Sequence, residues 1–200
     1  SGNKANSFRY RGKPDGQPSI DIDLGAAYPL DRIHLHAENM GNLAPAPVPE
    51  GFGFPDYFII EGANEADFSD KVKLLEFRKQ SIYDIGPVLM RALPNSLHRY
   101  VRLKVLQANQ PGRFPRVIRF AEIEVFSEGK NVALGKPAEA GPLSVFINND
   151  KLLTDGSNAY GRIPPLRKWL EQLALGHELK RQRPAIATEL ARRYDQQEVK

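Results

Sequence analysis

Between Tyr100 and Leu106 the chain alternates strictly: Val101, Leu103 and Val105 are apolar, while Arg102 and Lys104 are charged. Successive side chains on a strand point to opposite faces, so this pattern predicts a strand with one buried and one wet face. A helix would scatter the same residues around its axis. Ile33 and Leu35 alternate with His34 and His36 in the same way. Period-two stretches of this kind predict strands at Ser19–Asp23, Arg32–Ala37, Tyr57–Gly62, Leu74–Phe77, Tyr100–Gln107 and Ala121–Phe126. The Pro- and Gly-rich stretches Met40–Phe54 and Ala108–Arg116 read as loops, the second holding Asn109-Gln-Pro-Gly-Arg-Phe-Pro115. Several short strands with long connections indicate a mainly β sandwich.

Composition narrows the function classes. The chain has 200 residues, 41% of them hydrophobic, enough for one good core. No stretch approaches the roughly 20 apolar residues of a membrane span, so direct membrane insertion is not expected. With no cysteine, disulfides, thiol nucleophiles and thiolate metal sites are excluded. The net charge of +4 belongs to the tail: residues 162–200 hold nine Lys or Arg against five Asp or Glu, leaving the rest neutral. A neutral sandwich lacks the clustered cations that grip phosphate backbones, so nucleic acid is not an expected partner.

Enzyme signatures are absent: there is no Gly-x-Ser-x-Gly elbow, His-Glu-x-x-His, phosphate loop or dinucleotide fingerprint. Asp21 and Asp23 precede a turn, where surface solvation is the expected role. His34-x-His36 places two imidazoles on one strand face, as a zinc pair would require. No third ligand is visible nearby in the sequence, and histidine on a strand's polar face is commonplace.

Five segments in order carry a family resemblance: Ser19-Ile-Asp-Ile-Asp-Leu-Gly25, Arg32-Ile-His-Leu-His36, Phe54-Pro-Asp-Tyr-Phe-Ile-Ile-Glu61, His98-Arg-Tyr-Val-Arg-Leu103 and Phe120-Ala-Glu-Ile-Glu-Val-Phe126. Together they resemble the discoidin, or coagulation factor 5/8 type C, domains and their relatives among bacterial carbohydrate-binding modules. The resemblance implies a galactose-binding-like β-sandwich, or jelly roll. The animal members usually carry a terminal disulfide, which this chain lacks.

After Phe126 the pattern changes. Glu128-Gly-Lys-Asn-Val-Ala-Leu-Gly-Lys-Pro137 resembles the segment with which such domains begin, and Leu153-Thr-Asp-Gly156 the Asp-Gly loop that follows it. On one reading 131–161 returns to the same sandwich as a circular permutation; on the other, Asn131 opens a further domain. The first gives a β-sandwich over 1–161 and a helical appendage, tail or linker over 162–200. In that tail Leu166, Trp169, Leu170 and Leu173 form a stripe of period near 3.6, behind Pro164-Pro165 at the helix start. Pro184 lacks an N–H, so the helix kinks there or a second one begins. Ile186, Leu190 and Tyr194 continue a stripe.

The resemblance also implies ligands. Related bacterial modules often hold a structural Ca2+ between the Asp-Gly loop and the glutamate of the last strand, which match Asp155, Gly156 and Glu122 here. The family's threonine after that loop is replaced by Ser157-Asn-Ala159. Sugar binding implies an aromatic platform with polar neighbours on the loops, and the candidates are His36, Glu38, Asn39, Phe52, Arg113 and Phe114. The expected function is a non-catalytic carbohydrate-binding module of a secreted or periplasmic bacterial multidomain protein. The alternative is a structural, protein-interaction or extracytoplasmic sensory module that bridges neighbouring domains through its helices.

Overall fold

The computed structural model describes residues 8–11, 17–37, 54–81, 88–108, 117–141, 150–158 and 161–198. The chain divides into two compact units, Ser1–Arg162 and Ile163–Lys200. The first is mainly β and the second helical.

In the first unit the strands are β1 Phe8–Arg11, β2 Ser19–Ala37, β3 Tyr57–Ala63, β4 Val72–Arg78, β5 Val88–Gln107, β6 Val117–Ser127, β7 Lys130–Asn131 and β8 Ala138–Gly141, followed by the short pair β9 Ser157–Asn158 and β10 Gly161–Arg162. They pair antiparallel in the order β1-β6-β2-β5-β3-β4, with β7 added to β6 and β8 to β2.

Two strands are longer than the sequence predicts. Ser19–Asp23 and Arg32–Ala37 are two ends of one 19-residue strand. Between them Gly25 sits at φ 81°, a conformation that needs no Cβ, and its N–H bonds to the Asp23 carboxylate at 2.8 Å. The register against β5 shifts between Asp23 and Tyr28, and again between Leu30 and Arg32. β5 likewise begins at Val88 and not at Tyr100. Within it Asn95 adopts φ 56°, and the register against β2 jumps from Ser96 to Ala92, so the strand bends there and continues.

Strands that bend at bulges can pass from one part of a sheet to another. Here Ser19–Asp23 pairs with β8 and with Tyr100–Lys104, which leads on to β3 and β4. Arg32–Ala37 pairs instead with β6 and with Val88–Ala92. The apolar sides of these halves meet in one core. Ile20, Ile22, Phe58, Ile60, Val101 and Leu103 come from the first half, and Ile33, Leu35, Phe120, Ile123 and Val125 from the second. Asp21 and Asp23 do more than solvate the surface. Asp21 takes two bonds from the Arg102 guanidinium, at 2.7 and 2.6 Å, and Asp23 takes two from Arg99, both at 2.9 Å.

After β6 the chain reverses through Glu128 and Gly129, both at positive φ, and runs back along β6 as β7. Val132 N–H donates to Val125 O at 2.8 Å, and Ile123 N–H to Leu153 O at 2.7 Å. The outer edge of β6 is thereby occupied.

In the second unit α1 spans Leu166–Glu198 as one helix with Pro184 inside it. It is not long and apolar enough to cross a membrane. Leu175, Leu179, Ile186 and Leu190 are each at least half exposed. At about 100° per residue their spacing puts all four on one side of the helix.

Candidate functional site

A bulge in β6 creates the site. His36 pairs with Glu122 and Ala37 with Phe120, so Ala121 is an extra residue opposite no partner. The extra residue inverts the facing of everything after it. Ile118 and Phe120 enter the core before the bulge, and Ile123 and Val125 after it. Glu122, Glu124 and Phe126 therefore share the opposite face with their cross-strand partners His36, His34 and Arg32. The alternation of Arg32–Ala37 predicts that this face is wet. Instead, Ile33 through Ala37 are all buried, as are Ala121 through Ser127.

Two imidazoles converge there on one oxygen. His36 Nε2 lies 2.8 Å and His34 Nδ1 3.3 Å from Glu124 Oε2. The three ligand atoms lie within 4.8 Å of one another, a cluster that can chelate a cation. The other carboxylate oxygen, Oε1, accepts from Asn131 Nδ2 at 3.4 Å. The His34 ring packs against Phe126 at 4.5 Å, and the Arg32 guanidinium caps the same ring at 4.6 Å. Burial alone would raise the Glu124 pKa, but the hydrogen bonds and charges of the two histidines outweigh it and hold the carboxyl down at about 2. Glu124 is thus an anion facing two imidazoles.

Glu122, one step along the same face, has the opposite character. It is 0% exposed. Burial pushes its pKa up to about 9, the nearby Asp155 and Glu124 charges add to the rise, and the bond from Gly156 opposes it. Gly156 N–H donates to Glu122 Oε1 at 2.9 Å, while Oε2 has no hydrogen-bond partner among the described residues. The sequence pairing of Glu122 with the Asp-Gly turn is thus a real contact across 34 positions. Its chemistry is that of a carboxyl capping a turn. The turn aims an N–H at Glu122, and the Asp155 carboxylate bonds Ser157 N–H at 2.8 Å. A Ca2+ ion needs six to eight oxygens. Among the described residues Glu122 Oε2 is a buried carboxylate oxygen left without a hydrogen bond, with the Asp155 turn beside it.

Position 156 favours glycine because φ is +80°; an added Cβ would also lie 2.8 Å from Leu134 Cδ1, the end of an exposed side chain that can turn away. Gly156→Ala is expected to lower stability by about 1–3 kcal/mol in urea unfolding. A loss below about 0.5 kcal/mol would show that the turn does not hold this conformation.

Of the predicted sugar contacts, His36 is buried and bonded to Glu124. Glu38, Asn39, Phe52, Arg113 and Phe114 lie outside the described residues. The strands do fix where their loops are anchored. One connection leaves β2 at Ala37 and enters β3 at Tyr57, and the other leaves β5 at Gln107 and enters β6 at Val117. Tyr57 pairs with Gln107, and Ala37 with Phe120. One end of each connection thus starts beside the other, at Tyr57 and Gln107, while Ala37 stands opposite Phe120, three residues inside β6. At that rim an open polar hollow of about 400 Å³ is lined by Asp56, Tyr57, Arg78, Lys79, Gln80, Ser81 and Gln107. The Arg78 guanidinium lies 3.9 Å from the centre of the Tyr57 ring. The family resemblance assigns Phe54-Pro-Asp-Tyr57 to the framework, as a similar strand entry; β4 brings Arg78 onto the Tyr57 ring.

No protein-family model matches the sequence, and no curated protein matches it. Solved structures similar to the chain include CBM32-3 from a family 31 glycoside hydrolase of Clostridium perfringens, at 16% identity and TM-score 0.46, covering 62% of this chain and 77% of that one. The family 32 carbohydrate-binding module of Streptococcus pneumoniae EndoD is 15% identical at TM-score 0.45, over 61% and 75%. A protein fragment from Bacteroides thetaiotaomicron is 21% identical at TM-score 0.43, and the match spans 57% of this chain and 62% of the fragment. The likeness is distant and brings no ligand with it; the mainly β architecture with its C-terminal helix rests on the strands and helix described above.

Proposed function

We propose that this chain is a non-catalytic carbohydrate-binding module of a larger bacterial protein acting outside the cytoplasm. Residues 1–161 form the β module in this reading, with 131–161 completing it in permuted order, and 162–200 form the tail. The observation that carries it is the shared anchoring of the two long connections, through Tyr57 with Gln107 and Ala37 with Phe120. In this reading one connection contributes Glu38, Asn39 and Phe52 to the sugar site and the other contributes Arg113 and Phe114. An aromatic ring flanked by guanidinium, amide and carboxylate groups is the chemistry a sugar needs: a flat apolar face for its C–H side and partners for its hydroxyls.

A second reading has an observation of its own. Leu175, Leu179, Ile186 and Leu190 leave an apolar stripe exposed on α1, which favours an interaction module that meets a neighbouring domain or chain through its tail.

Thermal melts with a panel of mono- and polysaccharides, each with Ca2+ or EDTA, separate the two, because a ligand of the native state raises the midpoint. The first reading expects a saccharide-specific rise that Phe114→Ala with Arg113→Ala removes. No saccharide response, together with a midpoint that depends on protein concentration and loses that dependence in Ile186→Glu, would favour the second. A calcium response lost in Glu122→Gln would restore calcium to the Asp155 turn.

A further inference from the structure

We propose that His34, His36 and Glu124 form a binding site for a borderline divalent transition metal, with Zn2+ as its reference ion, independent of any sugar site. The geometry carries the proposal. On a tetrahedral zinc with bonds of roughly 2.0–2.1 Å, neighbouring ligand atoms stand about 3.3 Å apart. His34 Nδ1 is already 3.3 Å and His36 Nε2 2.8 Å from Glu124 Oε2, two edges within about half an ångström of that spacing, and the two nitrogens are no more than 4.8 Å apart. All three side chains stand on adjacent strands, and His34 and Glu124 are direct cross-strand partners. A site on paired strands keeps its shape better than one on loops.

The donor set selects the metal class. Two imidazole nitrogens and one carboxylate suit zinc and its neighbours in the transition series. Calcium and magnesium demand oxygen ligands, which this cluster does not supply in number. Asn131 supplies the outer support, since its amide holds Glu124 Oε1 and leaves Oε2 for the ion. Three protein ligands leave a fourth position for water or for a ligand group. Met90 stands opposite His34 on β5 and is 47% exposed, so solvent comes close to the cluster from that side.

The cluster also has a need that a metal meets. Without an ion, both imidazoles compete for one carboxylate oxygen. Their outer nitrogens, His34 Nε2 and His36 Nδ1, are buried without a partner among the described residues and would stay so with an ion bound. With an ion, each inward nitrogen gains its own bond, and Oε2 ceases to be shared.

Calorimetric titration of the full chain, first freed of metal with EDTA and dialysed, tests this with ZnCl2 and CaCl2 separately. The expected result is one Zn2+ per chain and no matching Ca2+ isotherm. His36→Gln and Glu124→Gln should weaken Zn2+ binding at least about 100-fold, and Asn131→Ala about tenfold, the range for supporting partners. His177→Ala, which alters an exposed histidine on α1, should change nothing. Should the buried variants fail to fold, Co2+ added to the wild-type chain decides: intense visible bands of a four-coordinate ion are expected. Wild-type protein that binds no Zn2+, binding unchanged in folded His36→Gln, loss of binding in His177→Ala, or only weak six-coordinate Co2+ bands would each overturn the proposal and leave a carboxylate-bonded histidine pair.

Discussion

Replacing Glu122 by glutamine is expected to stabilise the metal-free protein, and by more as the pH rises. The folded-state pKa of Glu122 lies at about 9 against an ordinary value of 4.5. Below about pH 4.5 both folded and unfolded states hold the proton, and the residue contributes no pH dependence. Between that point and about pH 9 the unfolded state ionises while the folded state keeps its proton, so stability falls as pH rises. At about 1.4 kcal/mol per pH unit the full loss has an upper limit of about 6 kcal/mol. Glutamine has the shape of the protonated acid and cannot ionise. In EDTA the two proteins should unfold at nearly the same urea concentration at pH 5, and the variant should hold out longer at pH 8. A variant less stable than the wild type at pH 8 would show that Glu122 is an anion there, as a bound cation or an unseen donor would require.

Phe120→Ala is expected to cost about 3–5 kcal/mol, the range for emptying a fully buried aromatic site. Phe120 is completely buried, its ring centre 5.7 Å from that of Phe54, and it is the last core residue before the bulge at Ala121. Its side chain keeps the strand in register at the point where facing inverts. Urea unfolding measures the cost directly. A loss under about 1 kcal/mol would mean that the core closes without it.

The strands were legible where alternation is regular. Tyr57–Gly62, Leu74–Phe77 and the second half of β5 stand within a few residues of their predicted places. Legibility fails at Gly25 and at Pro94-Asn95-Ser96, because turn-forming residues look the same whether a strand ends there or bends and continues. The polar face of β2 was misread for a related reason. A sequence shows that His34 and His36 share a face, but not that Asn131, Leu153 and Gly156 come to lie against β6. The third member of the cluster had no local signal at all. Glu124 lies 90 residues from His34 and meets it only through the register of β6, which itself depends on one bulged alanine. Glu122 with Gly156 was the reverse case: the pairing was foreseen from the family resemblance, and Gly156 N–H does donate to Glu122 across 34 positions. Whether a carboxyl caps a turn or grips a cation depends on which way the N–H groups point.

The most direct test of the proposed function is a set of amide nitrogen–proton spectra of the full chain, titrated with the saccharide that gives the largest thermal shift. The account predicts saturable shifts in Glu38, Asn39, Phe52, Arg113 and Phe114 and in Tyr57 and Gln107, with α1 unmoved. Spectra that stay unchanged throughout the panel, or that change only along α1 as protein concentration rises, would contradict it.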